Sequence, residues 1–297
     1  MKKWIKAARL RTLPLSLAGI ILAGFIAGSR QQFDGIIFIL SVLTAGLFQI
    51  LSNFANDYGD GIKGTDNENR IGPKRAIQSG AITPLQMKKA MLIMVILSFI
   101  SAAILVIYSF KGNALPVLLY LILGLAAIVA AIKYTVGKKA YGYYGLGDLF
   151  VLLFFGLVSV AGGTYLYTKT WDWTILFPAF SVGLLSIAVL NLNNMRDLES
   201  DRLSGKITIP VKLGLQNAKK YHIILIVLPL FLTQAYIFHH LRSVWQWLFI
   251  IPYLLLFVHL MRVIKTNEPK NFDPELKKVA ILTFLYALFF GLGLVLI

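Results

Sequence analysis

Seven of the thirteen acidic residues in this 297-residue chain fall in two short segments. The first reads Asn53-Phe-Ala-Asn56-Asp57-Tyr-Gly-Asp60-Gly-Ile-Lys63-Gly-Thr-Asp66-Asn-Glu68. The second reads Asn193-Asn194-Met-Arg196-Asp197-Leu-Glu199-Ser-Asp201-Arg202. Each follows an apolar run that can carry a helix into it, and residues three and four apart share a helix face. Asn53, Asn56, Asp57 and Asp60 can therefore project from one side, as can Asn194, Asp197 and Asp201. Two such helix ends brought together would crowd several carboxylates, which repel strongly at low dielectric unless a cation lies among them. Oxygen-only donors with amide neighbours suit Mg²⁺, which keeps waters and bridges carboxylates to phosphates. The candidate metal ligands are Asn56, Asp57, Asp60, Asp66, Asn194, Asp197 and Asp201, with Asp60, Asp197 and Asp201 expected to carry the chemistry. A phosphorylated ligand bridged to metal still carries negative charge, and Lys63, Arg70, Arg75 and Lys206 are the cations placed to meet it. The competing reading is ion pairing of these acids with Lys63, Arg70, Arg196 and Arg202, or plain solvated helix ends.

The elements that must position these residues are set by composition. The chain is 58% hydrophobic and 14% charged, against roughly a quarter charged in a soluble domain. Its apolar residues lie in long runs, and about 20 such residues cross a bilayer as a helix. Nine runs qualify: 13–27, 36–54, 91–110, 114–132, 150–165, 175–190, 223–237, 244–260 and 279–297. Period-two alternation is absent, so helices and not barrel strands are expected. The first run is read as a span and not a cleaved signal, because its basic flank continues through Arg9 and Arg11 and Thr12-Leu-Pro opens a helix. With no cysteine there is no thiolate metal site. The four histidines are scattered without metal-ligand spacing, and His239-His240 reads as an interfacial pair.

The net charge of +16 could suggest nucleic acid, but its distribution points to a membrane. If nine spans alternate, one set of connections holds 25 of the 29 Lys and Arg residues, and the other holds only Arg30, Lys111, Lys169 and Arg242. That is the split the positive-inside rule produces. It predicts an N-terminus in the cytoplasm, a C-terminus outside, and both acidic clusters on the cytoplasmic face. The expected architecture is an all-α integral membrane protein of nine transmembrane helices, a single domain over 1–297, in contact with membrane lipid and not nucleic acid.

Longer motifs carry a resemblance. Arg9-x-Arg-Thr-Leu-Pro, the stretch Gln49 to Asp60, and Gly64-Thr-Asp-x-x-x-Arg-Ile-Gly-Pro73 stand in the first half. Tyr134-Thr-Val-Gly, Tyr141-Gly-Tyr-x-Gly-Leu-Gly-Asp148 and Asn193-Asn-Met-Arg-Asp197 follow. Together they resemble the UbiA-type intramembrane prenyltransferases, and most closely the 1,4-dihydroxy-2-naphthoate polyprenyltransferase branch of menaquinone biosynthesis. The resemblance extends over essentially the whole chain. It implies a nine-helix bundle with a central cavity capped on the cytoplasmic side, in a bacterial inner membrane. It also implies Mg²⁺-dependent transfer of a polyprenyl group from polyprenyl diphosphate to 1,4-dihydroxy-2-naphthoate, with loss of CO₂ and diphosphate. Asn56, Asp60, Asp197 and Asp201 match the family's metal–diphosphate ligands. Where the wider superfamily has a third aspartate this chain has Gly64, and Asp66 is the stand-in.

An allylic cation formed in such a reaction needs a dry, electron-rich wall. Tyr141, Tyr143 and Tyr144, in a connection beside Asp148, are the tyrosines expected near it. The acceptor's carboxylate needs a cation, for which Arg9, Lys138 and Lys139 are candidates. The rivals are prenyltransferases acting on another aromatic acceptor, CDP-alcohol phosphotransferases and secondary transporters. Asp60-Gly61 lacks the Ala-Arg continuation of the phosphotransferase motif. A transporter would place ionisable groups near the midplane, and these spans are almost free of internal charge.

Overall fold

A computed structural model describes residues 1–68 and 71–296, and among these every regular element is helical. The chain enters through a short helix α1 (Lys2–Ala8), turns at Arg9 and continues as α2 (Leu13–Ser29). Then come α3 (Gly35–Lys63), α4 (Pro84–Phe110) and α5 (Ala114–Lys133). The fifth span is composite: α6 (Gly147–Val151), an eleven-residue π-helical stretch Leu152–Gly162, and α7 (Gly163–Thr168). After it lie α8 (Leu176–Arg196), short α9 (Leu198–Leu203), α10 (Ile209–His240), α11 (Ile250–Lys265) and α12 (Phe272–Val295). Nine of the described segments are long and apolar enough to cross a membrane, in agreement with the nine runs read from sequence.

Local chemistry explains the boundaries. Asp34 caps α3 by accepting from the amides of Ile36 (2.8 Å) and Ile37 (3.0 Å), satisfying donors that a helix start leaves orphaned. Thr83 and Gln86 form a reciprocal capping box at the start of α4, where Pro84 also stands. Gly64 ends α3 at φ 73°, a left-handed conformation that a side chain would disfavour. Inside α10, the Pro229 carbonyl accepts from Ser181 Oγ (3.2 Å) and Thr233 Oγ1 (2.7 Å).

Packing places α8 at the centre. Nearly three quarters of its apolar window (72%) is buried against 11% for α5, so α8 is enclosed while α5 faces outward. α8 lies against α10, α12 and the π-helical stretch, where Gly156 meets Gly183 and the Ala179 carbonyl with no room for a Cβ. The two charge sets segregate with the alternation. At the sparse end Arg30 pairs with Asp172, and Lys169 reaches Ser109 at 2.6 Å. The opposite, basic end carries both acidic clusters.

Candidate active site

The last two turns of α3 bring the first cluster to the basic end. Sequence places glycine on either side of Asp60, and the structure shows why this suits the position. A Cβ on Gly59 would stand 2.5 Å from Thr135 Oγ1 and 2.7 Å from the Thr135 carbonyl carbon, and one on Gly61 would stand 2.8 Å from Ile77 Cγ2. Two loops, 134–148 and 73–80, therefore lie directly on α3. Thr135 Oγ1 ties the first by donating to the Ala55 carbonyl (2.9 Å). The second is tied by Asp57, whose two oxygens accept from the backbone amides of Ala76 (2.9 Å) and Ile77 (3.1 Å). Asp57 thus holds the loop that carries Arg75, a task different from the metal ligation expected of it.

Arg75 gathers the first cluster. Its Nη1 donates to the Asn56 carbonyl (2.8 Å) and to Asp60 Oδ2 (2.5 Å), and lies 3.1 Å from Asp66 Oδ2. Burial opposes the charge on this guanidinium, but Asp60, Asp66 and Asp57 outweigh it and hold its pKa above the ordinary value. Tyr143 closes the other side of Asp60, donating to Oδ1 at 2.8 Å and sharing a 2.5 Å hydrogen bond with Thr65. Lys63 Nζ sits 3.7 Å from the centre of the Tyr143 ring, a cation–π contact. Arg70 lies outside the described residues.

The second cluster follows α8. Arg196 forks onto its neighbour Asp197, Nε to Oδ1 at 2.9 Å and Nη2 to Oδ2 at 2.6 Å, and also holds Asn193 and Asp273. Ion pairing thus accounts for Asp197 in this arrangement. Asp201 Oδ1 lies 3.3 Å from Lys206 Nζ, and the chain between them is folded back by a hydrogen bond from Lys206 N to the Asp201 carbonyl (2.9 Å). Burial pushes the Asp201 carboxyl up; Lys206 opposes this, the charges of Asp197 and Asp60 add to it, and its pKa stands at about 6. Lys206 is itself buried, and the charges of Asp201 and Asp60 overcome that burial to hold its pKa above the ordinary range.

The clusters meet across the loop before α6. Ile207 N donates to the Tyr143 carbonyl at 3.0 Å while the Tyr143 hydroxyl reaches Asp60, so one residue touches both. Tyr134, absent from the sequence-level site, stands among the same groups. Burial raises its phenol to about 12, with Lys206 opposing and Asp60, Asp148 and Asp201 contributing. The sequence signal for it is its place in Tyr134-Thr-Val-Gly, one motif before Tyr141, Tyr143 and Tyr144.

Other expected residues are distributed differently. Tyr141 donates to the Ala130 carbonyl (2.9 Å) and stacks on Phe150 at 3.9 Å, so it packs the loop onto the helices. Tyr144 is exposed, and its carbonyl accepts from Lys212 (3.2 Å). Lys138 and Lys139 are exposed, and among the described residues neither forms an ion pair with the acids. Arg9 sits at the left-handed turn after α1, φ 48°. It is held beside α3 because Asn53 Nδ2 donates to the Ala8 carbonyl (2.8 Å) and to Thr12 Oγ1 (3.2 Å).

The residues present fit a hard divalent cation. Asn194 Oδ1 and Asp201 Oδ2 are buried acceptor oxygens with no hydrogen-bond partner, and such groups are rare and costly unless something satisfies them. Among the described residues no three acidic or histidine side chains converge on one point. That suits an ion taking one or two carboxylates and completing its shell with phosphate oxygens and water, the habit of Mg²⁺. The histidines are less scattered than sequence suggests: His222 and His259 meet at 2.9 Å, and His259 Nδ1 lies 2.7 Å from Glu275. His239 and His240 lie at the sparse end by Trp173 and Thr174.

The chain is similar to known proteins along most of its length. The model of the UbiA prenyltransferase family matches residues 17–288. A 1,4-dihydroxy-2-naphthoate octaprenyltransferase of Escherichia coli (strain K12) is 43% identical over 98% of this chain and 94% of its own length. The enzyme of the same name from Haemophilus influenzae is 42% identical over 99% and 96%. A solved UbiA homolog from Archaeoglobus fulgidus, bound to DMAPP and Mg²⁺, shares the fold with a TM-score of 0.66 at 15% identity, covering 99% of each chain. Matched along nearly its whole length by sequence and by fold, the chain belongs to the UbiA prenyltransferase family.

Proposed function

We propose that this multi-pass membrane enzyme transfers a polyprenyl group from polyprenyl diphosphate to 1,4-dihydroxy-2-naphthoate, releasing diphosphate and CO₂ to give demethylmenaquinone. The observation that carries the choice of acceptor is the 43% identity, along 98% of the chain, to an enzyme named for that acceptor. The basic end is the cytoplasmic face of a bacterial inner membrane, the side where Lys and Arg accumulate. That orientation puts the N-terminus inside and the C-terminus outside.

Asn56, Asp60, Asn194, Asp197 and Asp201 would hold Mg²⁺ together with the diphosphate, and Asp66 supports them through Arg75. When bound, the metal neutralises charge growing on the departing diphosphate. The chain's own cations do the same from fixed positions: Arg75 and Lys206 lie between the clusters, and Lys63 stands over the Tyr143 ring. Pre-placed charge of this kind is the largest common contribution to catalysis. An allylic cation is then faced by the Tyr143 and Tyr134 rings. The row Tyr134, Tyr141, Phe150 and Phe154, with successive ring centres 5.4, 3.9 and 6.3 Å apart, runs from the acids toward the membrane and excludes water. Attack comes from the ring carbon bearing the acceptor carboxylate, whose loss as CO₂ restores aromaticity. Arg9, held against α3, is the cation proposed for that carboxylate.

The test is to incubate purified protein with 1,4-dihydroxy-2-naphthoate, geranyl or farnesyl diphosphate and Mg²⁺ and to identify the product by mass. The decarboxylated prenyl naphthoquinol is expected, together with its loss in Asp60→Ala and Asp197→Ala. Preferential prenylation of 4-hydroxybenzoate in direct competition would instead assign another acceptor.

A further inference from the structure

One carboxylate of the site is left without a cation. Asp57 is held by backbone amides, Asp60 and Asp66 by Arg75, Asp197 by Arg196 and Asp201 by Lys206. Asp148, at the start of α6, takes part in none of the ion pairs among the described residues; its side-chain partner is the Tyr221 hydroxyl of α10, donating to Oδ2 at 2.8 Å. It nonetheless belongs to the same constellation. Its charge acts on the Tyr134 phenol together with those of Lys206, Asp60 and Asp201, and a Cβ on adjacent Gly147 would stand 3.3 Å from the Tyr134 hydroxyl. The titratable groups facing Asp148 are therefore Tyr221 from α10 and Tyr134 from the preceding loop, while α8 presents Leu190 against Gly147.

A carboxylate kept free of cations beside an electrophile-generating site has an evident use. A phenolic acceptor is a weak carbon nucleophile until its hydroxyl loses a proton, and a positioned carboxylate can take it. We propose that Asp148 is the general base that accepts the proton of the acceptor hydroxyl ortho to the reacting carbon. The step stands on the hydroxynaphthoate reading given above. The O–H electron pair moves into the ring, and the ring carbon forms a bond to the allylic carbon. The allylic C–O bond breaks, and diphosphate leaves with that electron pair. The ring-to-carboxylate bond then breaks, CO₂ departs, and its electron pair restores the ring. The oxygen recovers its proton from Asp148, which ends the cycle as it began. Metal-bound or Arg-clamped Asp60 and Asp197 cannot perform this exchange without releasing their partners.

The test uses the full chain in detergent with Mg²⁺, geranyl diphosphate and 1,4-dihydroxy-2-naphthoate. In Asp148→Asn, kcat is expected to fall about 100-fold or more with KM for geranyl diphosphate unchanged. Its rate should climb roughly tenfold per pH unit from pH 7 to 9 as the acceptor ionises in solution, whereas the wild-type rate stays flat. Wild-type turnover in D148N, or a loss with a flat pH profile, would overturn the assignment. If D148N lacks the thermal stabilisation by Mg²⁺ and geranyl diphosphate that marks a folded site, Tyr221→Phe carries the test. It keeps the base and is expected to keep flat turnover within about tenfold of wild type, and a larger loss would make the pair structural. Failure of the wild type to prenylate the naphthoate would sink the acceptor reading first, a result distinct from an unimpaired D148N.

Discussion

Asp201 is where the site's electrostatics make their clearest demand. Its carboxyl stands at about 6 instead of 3.8, because burial and the charges of Asp197 and Asp60 outweigh the pull of Lys206. The folded chain therefore binds this proton more tightly than the unfolded chain. Stability from this group is present below about pH 4 and is lost as pH rises through 6. A shift of about two units is worth roughly 3 kcal/mol. Asp201→Asn removes the titration but keeps an acceptor oxygen for Lys206, giving up about 1 kcal/mol of charge-assisted hydrogen bonding. Metal-free D201N should thus be more stable than wild type by about 2 kcal/mol at pH 7.5, equivalent to several degrees in Tm. The advantage should vanish near pH 4.

The same substitution should lower prenyl transfer at least 100-fold, because the group that destabilises the metal-free site is one proposed to hold the metal and diphosphate. Thermal unfolding of both proteins in detergent with EDTA, from pH 4 to pH 8, measures the first part; product formation measures the second. A stability difference independent of pH, or a D201N less stable than wild type at pH 7.5, would refute the reasoning. Addition of Mg²⁺ with geranyl diphosphate should reverse the order, since only the wild type gains the full binding free energy.

Gly59→Ala should cost about 1–3 kcal/mol in chemical denaturation, because its Cβ meets Thr135 backbone. Gly46→Ala in the same helix, with nothing within 4 Å, should be neutral or slightly stabilising. Tyr143→Phe removes the donor to Asp60 and should lower kcat/KM for the prenyl diphosphate about 10-fold or more, read from initial rates. Glu275→Ala strands His259 and Lys278 and should cost about 2–3 kcal/mol while the folded fraction keeps its turnover. Calorimetric titration should show Mg²⁺ alone binding at least about tenfold more weakly than Mg²⁺ with geranyl diphosphate, because among the described residues no three acids converge on one point.

The fold was legible because its signal is coarse. Nine apolar runs separated by charge became nine spans, but the runs understate their helices. α3 continues nine residues beyond Phe54 because Gly59 and Gly61, helix weakeners in isolation, are where loops press against it. α10 begins at Ile209, fourteen residues before the apolar run, and bends at Gly214 (φ 73°) inside an amphipathic stretch that apolar counting passes over. That carboxylates and amides gather at the basic end was legible as well, since their helical spacing puts them on one face of each helix end. Pairings were not. Whether Arg75 or Lys74 turns inward, that Asp57 serves loop amides, and that His222 and His259 touch across 37 residues depend on where loops return. Spacing along one helix carries no record of that.

The same pairings explain how so many acids are tolerated at a membrane surface. A bare cluster would be held apart by repulsion, yet here Asp57, Asp60, Asp197 and Asp201 each have a fixed positive or amide partner. Arg75 and Arg196 are always charged, so Asp60 and Asp197 each have a fixed positive partner. Lys206 serves both clusters at once, and its burial between Asp60 and Asp201 lets the two helix ends approach before any ligand arrives. That leaves an arrangement nearly neutral in itself but with two unsatisfied oxygens, Asn194 Oδ1 and Asp201 Oδ2. Such a site has little to offer a lone cation and much to offer a cation that brings its own anion. On the proposed function, selectivity for a metal–diphosphate over either component follows from this pairing.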